Sequence, residues 1–414
     1  MPSSSFYLLR VLSAVGLCGV LATAPIQAAP TDADAPYLAA MQAIADGRYE
    51  DARTLLMQLA AQSPEHAGAW LDLAILQCGL GHAAEAEALF GVIELRFAPS
   101  AAIREVIAQQ RASGCRPQAQ PGRYQLRLSR GYDSNVNQGA RDLNLLIGDG
   151  AGGGVMLELA PEYAARGDGF VNLQAEGRRP LSRNGTVGFG HVLLRHYDRL
   201  HHYDLSAVSG GLDHPLRLGT WDARLSATAG VLGLGGTMYQ ANAAWQAHVT
   251  PPAQPLPAGW AVSGLVGQAF YDYPGQSVFN ARQTEWRGVL TYRGEGSALQ
   301  LAAGPMTDSG RAHRPGGDRD GWSYSVWWRT PLWQRTFAEL HWSRFDWRGS
   351  QAYAPGLIDT RRKQDTEQLR LTVTHPIDAT HAVVAEYRQV DNHENISIFS
   401  YQARQFSLSW QWQY

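Results

Sequence analysis

Phe406-Ser407-Leu408-Ser409-Trp410-Gln411-Trp412-Gln413-Tyr414 decides the fold. Every even position in this stretch is large and apolar, and every odd position is polar. Successive side chains of a β-strand point to opposite faces, so this strand is apolar on one side and wet on the other. The same period of two recurs upstream. Trp322, Tyr324, Val326 and Trp328 alternate with Ser323, Ser325 and Trp327. Leu369, Leu371 and Val373 alternate with Arg370, Thr372 and Thr374, and Val383, Ala385 and Tyr387 with Val384, Glu386 and Arg388. Trp221, Ala223, Leu225, Ala227 and Ala229 alternate with Asp222, Arg224, Ser226 and Thr228, and Val171, Leu173 and Ala175 with Asn172, Gln174 and Glu176. Each stretch runs about ten residues, the length of a strand that crosses a bilayer at a tilt.

A soluble sandwich also alternates. Two features favour a membrane barrel instead. Charges stand in mid-strand on the polar face, at Glu176, Arg178, Asp222, Arg224, Glu285, Arg287, Glu386 and Arg388, and these eight are expected to line a hydrated lumen. Trp and Tyr gather near strand ends, as in interfacial girdles. The reading is an antiparallel transmembrane β-barrel over residues 124–414, ending on an aromatic residue of the kind barrel-assembly machinery reads. Arg179-Pro180-Leu181, His214-Pro215-Leu216, Thr330-Pro331-Leu332 and His375-Pro376-Ile377 mark strand ends, because proline cannot donate to a sheet ladder. Met306–Asp320, Arg348–Gln364 and Asp391–Ser400 read as longer polar loops at the opposite end. Counting back from Tyr414 gives about fourteen strands, starting near Gly153. Tyr124–Asp133 is then a lead-in or plug; if it pairs with a short strand near Leu143–Ile147, the count becomes sixteen.

The N-terminus has a different character. Arg10 precedes an apolar stretch, Val11–Ala24, and Ile26-Gln27-Ala28 offers a small-residue cleavage site, so residues 1–28 read as a secretory signal. Residues 29–115 are rich in Ala, Leu and Glu with helical periodicity. Gly47-Arg48-Tyr49-Glu50-Asp51-Ala52 returns as Gly81-His82-Ala83-Ala84-Glu85-Ala86, and Leu56 and Leu59 return as Phe90 and Ile93. The offset throughout is 34 (81 − 47), and with Trp70, Leu73 and Ala74 opening the second unit it resembles the tetratricopeptide repeat. A groove for an extended peptide is expected on the first helices, at Tyr37, Met41, Leu71 and Ile75. Residues 116–123, rich in Pro, Gln and Gly, read as a linker. An exported chain resides in an oxidising compartment, where Cys78 and Cys115 have two options: a disulfide or two buried thiols.

Composition excludes more than it identifies. With 35 Lys+Arg against 37 Asp+Glu, the chain lacks the basic excess that a nucleic-acid partner demands. Mean hydropathy is −0.26 in spite of 13 Trp, as expected when half of every strand is polar. No catalytic, cofactor or metal site is expected: neither GxxxxGK[ST] nor GxSxG occurs, and Gly152-Gly153-Gly154 opens a strand. His191, His196, His201 and His202, with Asp198 and Asp204, read as a solvated loop, as does Asp391-Asn392-His393-Glu394.

Signal, short helical repeat and C-terminal barrel, with Gly131-Tyr132-Asp133-Ser134-Asn135-Val136-Asn137 at the junction, resemble the surface lipoprotein assembly modifier (Slam) family. The resemblance spans about residues 36–414. It implies a periplasmic tetratricopeptide domain joined to a barrel of about fourteen strands in a Gram-negative outer membrane. It also implies a role in moving an exported protein or surface lipoprotein across that membrane, with no catalytic residues. The partners it implies are that cargo, outer-membrane lipid, a periplasmic chaperone and the barrel-assembly machinery. The helical array here is short for the family. An exopolysaccharide export porin with a tetratricopeptide adaptor is the alternative; such a pore favours one charge sign or many aromatics in its lumen.

Overall fold

The computed structural model describes residues 35–45, 48–112, 114–115, 122–148, 154–182, 184–252, 255–294 and 296–414. The residues read as a secretory signal, 1–28, and most of those read as a linker lie outside these. The chain divides into a helical unit and a barrel unit.

Five helices build the first unit: α1 (Ala35–Ala45), α2 (Tyr49–Gln62), α3 (Ala67–Gly79), α4 (Ala83–Arg96) and α5 (Ala101–Ala112). The repeated positions form its core. Ala52 and Ala86 are fully buried and let neighbouring helices approach closely, while Leu56 and Phe90 fill the space beside them. Leu59 and Ile93 complete the set. Gly81, with φ of +82°, makes the left-handed turn between α3 and α4 that a Cβ would disfavour. The short last helix is tied down twice. Cys78 and Cys115 are joined by a disulfide, and Arg111 reaches Glu87 and Glu94 of α4, each at 2.8 Å.

The second unit is all strand: β1 (Arg123–Asp133), β2 (Asn144–Ile147), β3 (Val155–Glu158), β4 (Asp168–Pro180), β5 (Val187–Tyr197), β6 (Leu205–Leu218), β7 (Trp221–Leu234), β8 (Thr237–Thr250), β9 (Trp260–Asp272), β10 (Ala281–Arg293), β11 (Ala298–Gly310), β12 (Arg319–Trp333), β13 (Thr336–Ala354), β14 (Ile358–Pro376), β15 (His381–Glu394) and β16 (Tyr401–Gln413). Fourteen of them, β1 and β4–β16, close an antiparallel barrel. Closure satisfies the backbone groups that an open edge would leave bare in hydrocarbon.

The count of fourteen stands, but its membership differs from the sequence reading. Tyr124–Asp133 belongs to the first barrel strand, pairing with β16 on one side and β4 on the other. The predicted start at Gly153 lies outside the described residues; the residues just after it, Val155–Glu158, form β3, which pairs with β2 in a separate two-stranded sheet within the connection from β1 to β4. Loop lengths differ too. Arg348–Gln364 is mostly strand, since β13 and β14 run 19 residues each and meet across a three-residue turn at 355–357. The loop read at Met306–Asp320 is only 311–318, and that at Asp391–Ser400 only 395–400. At the same end, Gly235 and Gly236, with φ of +56° and +80°, turn β7 into β8 in two residues.

Candidate functional site

Register fixes which way each barrel side chain points. Leu128 opposes Leu173 on β4 and Trp410 on β16, and all three belong to the exposed outer coat. Val208, Leu212, Leu225, Trp286, Trp322, Phe406 and Leu408 continue that coat. Water would penalise so much contiguous apolar surface, whereas lipid would not. Tyr124, Trp221, Trp333 and Tyr414 stand at strand ends nearest the chain terminus, the place of an interfacial girdle. A closed barrel with this coat is an outer-membrane barrel.

The alternate residues face inward, and there the wall is polar. All eight charges read from the sequence fall on this face by register: Asp222 and Arg224 oppose Arg217 and Pro215, Glu285 and Arg287 oppose Gly267 and Leu265, and Glu386 and Arg388 oppose Ser407 and Gln405. Glu176 opposes Gln125, and Arg178 opposes Arg123. They do not act as one group. Arg178 pairs with Asp213 at 2.8 Å, Glu285 with Arg287 two residues along the same strand, and Asp222 with Arg217 at 3.5 Å. Glu176 faces His191 at 3.8 Å, and Glu386 faces Arg370 at 3.9 Å.

Several inward residues escaped the sequence reading. Arg127 donates to Gln411 at 2.7 Å, and Arg195 stacks on the Phe170 ring with its guanidinium carbon 4.2 Å from the centroid. Both were legible in principle, because Leu126-Arg127-Leu128 and Leu194-Arg195-His196 continue the alternation. The inner wall is also aromatic: Trp327, Phe345 and Trp347 face in, and Arg319 lies 4.8 Å from the Trp347 ring centroid.

The mouth opposite the chain terminus is braced by buried carboxylates. Asp308, fully buried, accepts from Arg314 at 2.7 Å and from Arg319, tying loop 311–318 to the wall. Asp168, 1% exposed, accepts from the backbone N–H groups of Arg199 at 2.8 Å and Leu200 at 2.9 Å, fixing the loop after β5. Glu394 holds Arg362 through both oxygens, at 2.5 and 2.6 Å.

In the helical unit, Tyr37 and Met41 of α1 and Leu71 and Ile75 of α3 occupy equivalent repeat positions (37 + 34 = 71; 41 + 34 = 75). All four are half-buried and pack against the helical core. Tyr37 has a structural duty as well: its hydroxyl donates to Asp72 at 2.6 Å, and its ring lies 4.8 Å from that of His66. Burial first and the Asp72 carboxylate second push its phenol up to about 12.

Of the predicted histidine loop, His196, His201 and Asp204 draw together, with ligand atoms within 4.8 Å of one another. Both Asp204 oxygens are already used. One accepts from the Tyr197 backbone N–H at 2.8 Å and the other meets His196 Nδ1 at 2.6 Å, which holds the turn.

The family model for the tetratricopeptide repeat matches residues 43–109. Among solved structures, the outer membrane channel DcaP of Acinetobacter baumannii is 9% identical, with a TM-score of 0.40 over 71% of this chain and 96% of that one. An anion-selective porin from Comamonas acidovorans is 10% identical, with a TM-score of 0.35 over 71% and 99%. A bacterial polysaccharide outer membrane secretin is 9% identical, with a TM-score of 0.35 over 70% and 97%. No curated protein matches the chain.

Proposed function

We propose that this protein is an outer-membrane translocator that delivers a specific exported protein or surface lipoprotein to the cell surface. One observation carries the reading: a tetratricopeptide-type helical repeat is covalently joined to a fourteen-strand barrel with a polar inner wall. A passive pore has no use for the repeat. In this reading the helical unit is periplasmic and captures a cargo segment or its chaperone, raising the local concentration of cargo at the barrel. No nucleotide motif is present, so the driving force is cargo folding outside or a second machine. The chain performs no covalent chemistry.

The test is co-expression with a small exported protein encoded beside it, followed by surface detection of that protein in intact cells. Surface display is expected, and deletion of residues 36–114 should abolish it while the barrel still assembles. Display that survives the deletion would remove the recruiting role. Polysaccharide export is the second reading, favoured by the inward Trp327, Phe345 and Trp347, which suit sugar rings. Loss of a capsule or matrix polymer in a deletion strain, with every exported protein still displayed, would decide for it.

A further inference from the structure

Most lumen arginines pair with a carboxylate, but the hydrogen bonds of Arg127, Arg195 and Arg388 run to neutral groups. We propose that Arg127, Arg195, Arg370 and Arg388 form an anion-binding site on the inner wall, selecting oxyanionic groups such as phosphate or carboxylate as they pass. The site concerns small-anion chemistry and goes beyond the identity of the transported cargo.

Four observations place it. Arg388 of β15 directly opposes Arg370 of β14 on one side and Gln405 of β16 on the other, and Gln405 accepts from Arg195 of β5, so three guanidinium groups share one stretch of wall. Arg127 of β1 joins Arg195 around a recess of about 30 Å³, lined also by Phe170, Asn172, Glu386 and Gln405. The partners of these arginines are mostly neutral. Arg127 donates to Gln411, Arg388 to Gln368 at 3.4 Å, and Arg195 to Gln405 and Tyr197, both at 3.5 Å. Finally, the Nε atoms of Arg127 and Arg195 are buried with no protein hydrogen-bond partner, whereas Arg370 turns its Nε towards Glu386.

The surrounding charges do not cancel the cluster. Glu386 stands 3.9 Å from Arg370, and Asp133 is already held by Gln405 at 2.7 Å and by the Asn135 backbone at 2.9 Å. Four guanidiniums against these two carboxylates leave a surplus of two positive charges. His341 lies on the Arg370 side and adds no negative charge. Burying like charges together is costly unless something negative shares the site. Arg forks match the two-oxygen edge of carboxylate and phosphate, and the unpartnered Nε atoms are the donors such an edge would take.

The test uses the full-length protein, purified in detergent for calorimetric titration with inorganic phosphate or acetate, and reconstituted in planar bilayers for reversal potentials across a KCl gradient. Saturable binding of one or both anions is expected, and any open channel should prefer chloride over potassium. Tighter binding of phosphate assigns the site to phosphoryl groups, and tighter binding of acetate to carboxylates. The pair Arg195→Gln and Arg388→Gln should weaken binding about tenfold or more, while Arg348→Gln on the outward face of β13 should leave it unchanged. If the double variant fails to migrate as a folded barrel on unheated gels, Arg195→Lys serves in its place. That change keeps the charge but loses the fork, so binding should weaken while anion preference persists. Three results would each overturn the proposal: no saturable binding of either anion, equal loss in Arg348→Gln, or a cation-selective pore.

Discussion

At the residue scale, two hydrogen-bonded groups carry measurable stability. Tyr37 titrates near 10 in an unfolded chain and at about 12 in the folded helical unit, so folding favours the protonated phenol. Its contribution is therefore complete below pH 10 and is lost as the pH climbs from 10 towards 12. Tyr37→Phe should cost about 1–2 kcal/mol below pH 10, because the Asp72 carboxylate loses its donor. It should also flatten the alkaline fall in helical melting temperature followed at 222 nm. An alkaline fall as steep as in the unaltered protein would show that Tyr37 is not the titrating group. Asp308 makes the complementary case. Replacing it with Asn leaves Arg314 and Arg319, whose side chains are 6% and 12% exposed, without their shared counter-charge. Breaking such a buried cluster costs about 3–5 kcal/mol. The penalty should appear as loosening of loop 311–318, read as new tryptic cleavage after Arg311 in the intact barrel. Unchanged resistance to trypsin would mean the loop has other anchors.

Elements were legible where they meet a single environment on each face. Strands within the hydrocarbon alternate apolar and polar residues, and the final strand, β16, announces itself from sequence alone. Outside the bilayer that contrast vanishes while the hydrogen-bond ladder continues. The outward residues of β13 and β14 change from Ala338, Leu340 and Val373 to Arg344, Asp346, Lys363 and Asp365, with Arg344 and Asp365 paired. A protruding hairpin therefore reads as a polar loop. β1 was obscured for a different reason: its partner β16 lies almost 300 residues away, and no local pattern reports so distant a pairing. The intervening β2–β3 hairpin offered a closer but false neighbour. Helices were easier, since repeated small and large positions at a fixed offset describe their packing directly. The disulfide belongs to this scale, fastening the end of the array to α3. It closes a separation of 37 residues, worth about 3–4 kcal/mol on chain-entropy grounds. Reduction should therefore lower the helical melting temperature and leave the barrel's heat-resistant migration intact. Loss of both together would show that the two units do not unfold independently.

For the whole molecule, the decisive contact is the one that turns a sheet into a barrel. Ser129 of β1 and Ser409 of β16 are directly opposed on the inner wall, with their hydroxyl oxygens 2.9 Å apart and a sequence separation of 280. Directly opposed antiparallel residues have Cα atoms about 4.5–5.5 Å apart, within the range a disulfide spans. Arg127's place in the proposed site depends on this seam, because it reaches the arginine cluster only if β1 is a wall strand. A free lead-in or a plug would leave β4 to meet β16 and move Arg127 elsewhere. The double variant Ser129→Cys, Ser409→Cys should thus form a bond between the first and last strands under mild oxidation. Boiled, unreduced protein should then run as a compact species on gels and revert on reduction, whereas Ser129→Cys alone should not. Failure to cross-link in a correctly assembled barrel would return Tyr124–Asp133 to the role of a plug and remove one of the four arginines from the site.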